Sequence, residues 1–249
     1  MKKKLVQFYT LCFKEIRHLV FSPIAVCSLL FFLLGNSIPF FLSGASLTAA
    51  QPGFRQYISR IPYISAIVIS ILTMGLWSDE RKKETEQILL SLPIPDYLLV
   101  LGKFASVNAL YIFMLLLTLP VILFAPISSS AGIYIFPGWG AVISAYLMII
   151  LYGTASISIG LFFSTLFSNS ILSFTLTVSS LLVLDTIQFL PQTLILSGTA
   201  TMLTTGLSFA WHLDSALRGI LDTRDIFFYI LPCMGILYGT MQIIRNRRA

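Results

Sequence analysis

Six long apolar segments constrain the fold of this 249-residue chain more than any other feature. A helix needs roughly 20 apolar residues to cross the hydrocarbon core of a bilayer, within a range of about 17–25. The fourth segment is longer than this, so we expect it to tilt or to project beyond the bilayer. The pattern predicts an all-α membrane protein with six transmembrane helices, at approximately 24–43, 61–77, 104–125, 139–167, 171–190 and 226–244.

Composition excludes an ordinary soluble domain. The chain is 57% hydrophobic and only 10% charged, whereas soluble domains carry about a quarter charged residues. Too few charges are present to cover a water-exposed surface. Because no hydrophilic stretch is long enough to form a second core, residues 1–249 are expected to form a single membrane domain.

The net charge of +6 is concentrated beside apolar segments. Three basic clusters lie at Lys2–Lys4, Arg81–Lys83 and Arg245–Arg248. Cytoplasmic loops carry an excess of Lys and Arg, and six spans place all three clusters on one side. We therefore expect a multi-pass protein of the cell inner membrane with both termini in the cytoplasm, in contact with lipid and not with nucleic acid.

The N-terminal segment 5–20 has apolar residues at helical spacing, with basic residues largely on the opposite face. This pattern predicts an amphipathic helix that lies in the membrane interface. The dipeptide Ser22-Pro23 is expected to end it before the first span. Lys14, Glu15 and Arg17 interrupt its apolar stretch, so it does not resemble a cleavable signal peptide.

Two connections bear on the topology. Residues 168–170 predict a tight turn between the fourth and fifth spans. The stretch 191–210 is moderately apolar and rich in Ser, Thr and Gly. If it crossed the membrane, the cluster at Arg245–Arg248 would lie outside, so we expect a short external or partly re-entrant helix.

Motifs for chemistry are missing from the sequence. It contains no GxxxxGK[ST] loop, no HExxH and no GxSxG, which are the patterns of nucleotide binding, zinc proteolysis and serine hydrolysis. We therefore expect no enzyme activity and no cofactor or metal bound by this chain. An intramembrane enzyme would need several polar residues within the spans, and Asp185 is the only acidic residue in one.

The segment 79–97 is the most informative hydrophilic part of the chain. Either Ser78 or Asp79 is expected to cap a helix, whose apolar side includes Leu89 and which Pro93 ends. A short charged helix with one apolar side is suited to lie along the membrane surface and dock another protein. A solvated loop is the alternative, and composition alone does not separate the two.

The run from Leu76 to Pro120 resembles the signature of ATP-binding-cassette (ABC) type-2 permeases. In that family an acidic-basic run leads to a Thr-Glu-x-Leu-Leu-x-x-Pro stretch and then to Gly-Lys before the third span. This chain has Glu84 where the family commonly has Gly. The matching positions are Glu80, Arg81, Thr85, Glu86, Leu89, Leu90, Pro93, Gly102 and Lys103.

Residues 209–230 resemble the gliding-motility-type branch of the same family, in which a His-aromatic pattern precedes Asp-x-Arg-Asp and the last span. Leu213 and Leu217 stand where aromatic residues are usual. The comparable positions are His212, Asp214, Arg218, Gly219, Asp222, Arg224 and Asp225.

The resemblance implies the permease subunit of an ABC exporter, a dimer with an identical or related second permease. Two cytoplasmic ATPase subunits would bind ATP and Mg, and helix 79–92 would couple them to the spans. The first and fifth spans would line the dimer interface and substrate path, and residues 192–224 would form external helices. The implied coupling residues are Asp79, Glu80, Arg81, Thr85, Glu86, Leu89, Leu90 and Pro93.

Two interpretations remain open for Asp185 and for the polar cluster near the last span. Asp185 is expected either on the path or dimer seam, or near the outer end of the fifth span in an ion pair with Arg218 or Arg224. A cluster in the resembling block is expected either to form a salt-bridged cap at the external gate or to coordinate a metal or substrate headgroup: His212, Asp214, Arg218, Asp222, Arg224 and Asp225. Small residues of the fourth span, Gly153 and Gly160 among them, predict close helix packing.

A second function is compatible with the same docking helix. The chain could be a membrane scaffold that anchors an ATPase-containing complex without moving a substrate. The sequence does not define a cargo.

Overall fold

The computed structural model describes residues 2–42, 53–91, 94–122, 138–190 and 198–248, which are helical and contain no strand. Short 3-10 turns follow the eighth and ninth helices. The α-helices are α1 Lys2–Val20, α2 Pro23–Leu42, α3 Gly53–Thr73, α4 Ser78–Lys82, α5 Thr85–Ser91, α6 Asp96–Leu116, α7 Trp139–Leu166, α8 Ser170–Thr186, α9 Thr199–Leu207 and α10 Thr223–Arg248.

Five helices in the described residues are long and apolar enough to cross a membrane. A sixth is added if the bent pair Cys12–Val20 and Pro23–Pro39, whose axes meet at 70°, counts as one span. The predicted all-α membrane class is confirmed. The five helices are Phe54–Lys82, Asp96–Ile122, Trp139–Leu166, Ser170–Phe189 and Thr223–Arg248.

Two spans extend further than their apolar stretches. The predicted third span begins at 104, but α6 starts at Asp96, directly after Pro95. It includes Lys103, which is only 4% exposed. The second begins near 61 by hydropathy, whereas α3 starts at Gly53 and includes Arg55 and Arg60. Arg55 and Lys103 pair with carboxylates of the protein, and charged side chains with such partners do not end a helix. The apolar limits therefore fall short of the true ends.

Helix α7 is the centre of the bundle and packs against α3, α6, α8 and α10. Its small residues make this close approach possible. A Cβ on Gly153 would overlap the ring of Tyr111 on α6, and one on Gly160 would overlap Thr73 on α3. The predicted role of these glycines in helix packing is confirmed.

The structure describes all of the predicted turn at 168–170 but only part of the predicted stretch 191–210. Between α7 and α8, Asn169 Oδ1 accepts a hydrogen bond of 2.9 Å from the N–H of Ile171, which caps α8 and makes the tight turn. Residues 191–197 lie outside the described part of the chain. The rest of the 191–210 stretch contains α9, whose nine residues are too few to cross a bilayer.

The N-terminal helix is present as predicted. Helix α1 packs along α6 and is sharply bent from α2 at Ser22-Pro23. Helices α2 and α8 lie on either side of α3. Each leaves large apolar side chains uncovered, including Leu30 and Leu34 on α2 and Ile171 and Val183 on α8.

Candidate coupling site

The predicted helix 79–92 is two helices, α4 and α5. Glu84, between them, has φ +58°, a left-handed conformation that L-residues other than glycine rarely adopt. It is the position where the resembling family commonly has glycine. The segment therefore turns between its charged first half and its second half.

The expected capping of this segment by Ser78 or Asp79 is wrong. Trp77 is at the N-cap position of α4 and makes no side-chain cap bond. The N–H groups of Trp77 and Ser78 donate instead to the hydroxyl oxygen of Ser164 on α7, at 3.0 and 3.4 Å. Because α4 continues from α3 through a turn, the next N–H, of Asp79, already bonds to the carbonyl of Gly75 at 3.3 Å.

Glu80 points inward to a buried lysine. Lys103 Nζ of α6 lies 2.7 Å from Glu80 Oε1, 2.8 Å from the carbonyl oxygen of Leu76 and 3.8 Å from Glu15 Oε1 of α1. The ammonium also lies 5.1 Å from the ring centre of Trp77. One cation thus joins α1, α4 and α6.

Asp79 joins α4 to the start of α8. Its Oδ1 accepts a hydrogen bond of 2.5 Å from the hydroxyl of Ser170. The carboxylate lies directly over Gly75, where a Cβ would come within 2.5 Å of Oδ2. A glycine at this position therefore makes room for the contact.

Arg81 and Glu86 join the segment to α7 and α10. Arg81 Nε donates to Glu86 Oε2 at 3.2 Å, and its guanidinium also donates to the carbonyls of Thr165 and Leu166 at the end of α7. Arg247 of α10 donates to Glu86 Oε1 at 3.1 Å and to the Thr165 carbonyl at 2.5 Å. Two guanidinium groups thus satisfy the unpaired carbonyl end of α7, where cations are favourable.

The remaining predicted coupling residues are placed as follows. The Thr85 hydroxyl donates to the carbonyl of Glu80 at 3.1 Å and holds the turn. Leu89 packs against the core of the bundle. Leu90 lies on α5, and Pro93 lies outside the described residues.

The outward surface of the segment consists mainly of residues that were not among the predicted coupling residues. Thr85, which was predicted, is exposed together with Lys82, Lys83, Glu84 and Gln87, which were not. The charged motif residues Asp79, Glu80, Arg81 and Glu86 bond instead to the bundle. The signal available in the sequence was weak: the four exposed residues that were not predicted are simply the polar ones between the motif positions.

At the opposite end of the bundle, the predicted external cluster separates into two groups. In the first, His212 and Asp225 are buried, with His212 Nδ1 2.6 Å from Asp225 Oδ1. The hydroxyl of Ser215 donates to Asp225 Oδ2 at 2.5 Å. The imidazole is stacked on Phe228, with 3.9 Å between ring centres.

The imidazole of His212 has a contact at each ring nitrogen. Its Nε2 lies 3.2 Å from the carbonyl oxygen of Gly206, and its Nδ1 faces the Asp225 carboxyl group. These two contacts fix the orientation of the ring between α9 and the start of α10.

The second group is centred on Asp214. It pairs with Arg218 at 2.8 Å and with Arg55 near the start of α3. Arg55 was not among the predicted residues, because it lies 159 positions away along the chain. Asp222 and Arg224 are exposed, and Asp222 Oδ1 only caps the N–H of Arg224 at 3.0 Å. Ion pairs of this kind fit the predicted salt-bridged cap.

Asp185 has no exposed surface and lies inside the bundle. The expected ion pair with Arg218 or Arg224 is wrong: Asp185 Oδ2 contacts the Tyr152 hydroxyl at 2.9 Å, and no described cation pairs with it. The same hydroxyl lies 3.1 Å from the carbonyl of Pro62. The Tyr152 hydroxyl therefore lies within hydrogen-bond distance of two acceptors, the Asp185 carboxyl and the Pro62 carbonyl.

Comparisons with known proteins do not identify a family for this chain. No protein-family model matches the chain, and no curated protein sequence matches it.

Proposed function

We propose that this chain is the permease subunit of an ABC exporter, driven by a separate cytoplasmic ATPase docked on α4 and α5. The observation that carries the proposal is the construction of this segment. Buried polar contacts tie it to α1, α6, α7, α8 and α10, while its outer surface is polar and exposed. A force applied by a partner to this surface would therefore be transmitted to most of the bundle.

The proposed topology has six spans, with α2 as the first and α1 as an interfacial helix. The basic clusters support a topology in which both termini and α4–α5 lie on the cytoplasmic side of the inner membrane. The ion-paired turns after α9 then form an external cap.

The proposed assembly is a dimer of permeases with two ATPase subunits. Large apolar side chains remain uncovered on α2 and α8, the helices expected at the dimer seam. Either an identical chain or a related permease fits this surface. ATP and Mg belong to the ATPase partner.

The docking surface is best tested with its exposed residues. Substitution of Glu80 or Leu89 would disturb the bundle and confuse docking with stability. Lys82→Glu reverses an exposed charge on α4, and we expect it to lower recovery of the ATPase in co-purification. Arg245→Glu is the matched control, because Arg245 is also exposed, at the same end of the bundle, but outside the segment.

Two results would contradict the proposal. One is full recovery of an active ATPase with Lys82→Glu combined with Lys83→Glu and Gln87→Lys. The other is equal loss in Arg245→Glu. If the ATPase binds but its catalytically inactive form still supports the cellular function, the chain acts as a scaffold and not as an exporter.

A further inference from the structure

A cavity of about 390 Å³ lies at the end of the bundle opposite α4 and α5. Its walls come from the first part of α3, the end of α8 and the turns after α9. They include Arg60, Tyr63, Gln188 and Trp211. This cavity belongs neither to the coupling segment nor to the His212–Asp225 pair.

Arg60 is the unusual member of the wall. Its Nη1 is buried and has no hydrogen-bond partner within the described ranges. The other arginine of the cavity, Arg55, is paired with Asp214, which also takes Arg218. The acid that lines the cavity, Asp214, is therefore already shared between two cations. A buried donor without an acceptor is costly and rare in folded proteins.

The polar neighbours of Arg60 include a second donor. Gln188 Nε2 donates to the Tyr63 hydroxyl oxygen at 3.4 Å, which leaves the hydroxyl hydrogen of Tyr63 for another acceptor. Trp211 is 53% exposed and places an aromatic ring at the rim. The cavity thus combines a guanidinium whose Nη1 has no partner among the described residues, a hydroxyl donor and an amphipathic ring.

The depth of the cavity indicates where its occupant lies. Helix α3 has 21 residues, or about 32 Å, which is close to the roughly 30 Å thickness of the hydrocarbon core. Arg60 lies in its second turn, about 9 Å from Phe54 along the axis. A long arginine side chain at this depth can extend its guanidinium towards the boundary between acyl chains and headgroups.

We propose that this cavity binds a phosphate oxyanion, which Arg60 and Tyr63 hold at headgroup depth. Guanidinium groups match phosphate oxygens with two parallel hydrogen bonds. The phosphate comes either from the headgroup of an anionic phospholipid or from free phosphate. The site does not depend on an ATPase partner.

Native mass spectrometry of the full chain, released from detergent micelles, tests the site. The probes are phosphatidylglycerol, phosphatidylcholine and inorganic phosphate, each titrated separately. We expect Arg60→Gln to weaken phosphate-ligand retention about tenfold or more, since a charge-assisted hydrogen bond is lost. Arg60→Lys should retain part of the affinity. Arg224→Gln is the matched control, an exposed arginine at the same end but outside the cavity.

The three probes distinguish a lipid headgroup from free phosphate as the ligand. Retention of phosphatidylglycerol above phosphatidylcholine, without competition by inorganic phosphate, supports a lipid headgroup; competition by millimolar phosphate supports the free anion. Unchanged binding in Arg60→Gln, equal loss in Arg224→Gln, or no binding of any probe would overturn the proposal. Size-exclusion and far-UV circular dichroism profiles that match the wild type confirm that Arg60→Gln is folded, and Arg60→Lys provides the test if it is not.

Discussion

Removing the buried charge of Lys103 gives the sharpest test of how the coupling segment is held. Lys103→Met keeps the length and apolar stem of the side chain and deletes the ammonium. Glu80 then loses its cation while Glu80 Oε2 already has no described partner. The carbonyl of Leu76 loses a donor as well.

The magnitude follows from burial. Removing one partner of a buried ion pair lowers the free energy of unfolding by about 3–5 kcal/mol. The Lys103 side chain is 5% exposed and that of Glu80 is 26% exposed, so partial solvation of the remaining carboxylate favours the lower end, about 3 kcal/mol. Loss of the cation–π contact with Trp77 adds about 0.5–1 kcal/mol.

The assay is chemical unfolding of the purified chain in mixed micelles, as a double-mutant cycle with Glu80→Gln. The double variant removes the carboxylate closest to the deleted ammonium and leaves only Glu15, 3.8 Å from Lys103 Nζ in the wild type, without its cation. We expect it to recover at least about 1 kcal/mol relative to additivity. Lys82→Met is the control, because it removes an exposed lysine of α4. The reasoning is refuted if Lys103→Met unfolds like the control, or if the two substitutions are simply additive.

Substitutions at Glu84, Gly160 and Asp185 test other parts of the structure by the same unfolding measurement. Glu84→Gly should stabilise by up to about 1 kcal/mol and Glu84→Val should destabilise, because the position is left-handed; the opposite order would contradict the turn. Gly160→Ala should destabilise by about 1–3 kcal/mol through overlap with α3, whereas Gly140→Ala, where a Cβ meets open space, should be nearly neutral. Asp185→Asn should be tolerated and Asp185→Leu should not, since the amide oxygen of Asn can still accept the hydrogen bond from Tyr152; equal loss in both would contradict a role for this hydrogen bond.

The sequence was sufficient to predict those features that depend only on residues close together in the chain. Apolar length selects membrane helices, Ser22-Pro23 places the bend before α2, and Asn169 caps α8 at the predicted turn. Gly153 and Gly160 were recognisable as packing positions, since only small residues allow helices to approach so closely.

The directions in which side chains point at the candidate sites could not be predicted from the sequence. The sequence placed Asp79, Glu80 and Arg81 in a docking segment, but gave no indication that they bond inward to the bundle. Nor did it indicate that Glu84 is left-handed or that Lys103 is buried within a span. Hydropathy treats each charge as solvated, and so it shortened both α3 and α6.

The sequence by itself determined the membrane class, the order of the helices and the position of the charged segment between them. Only the tertiary structure decided which charges are paired and which are free. Glu86 and Arg247 are 161 positions apart, and Arg60 stands without a described partner because Arg55 and Arg218 already share Asp214. Such pairings depend on which helix ends meet in space, and periodicity along the chain contains no information about that.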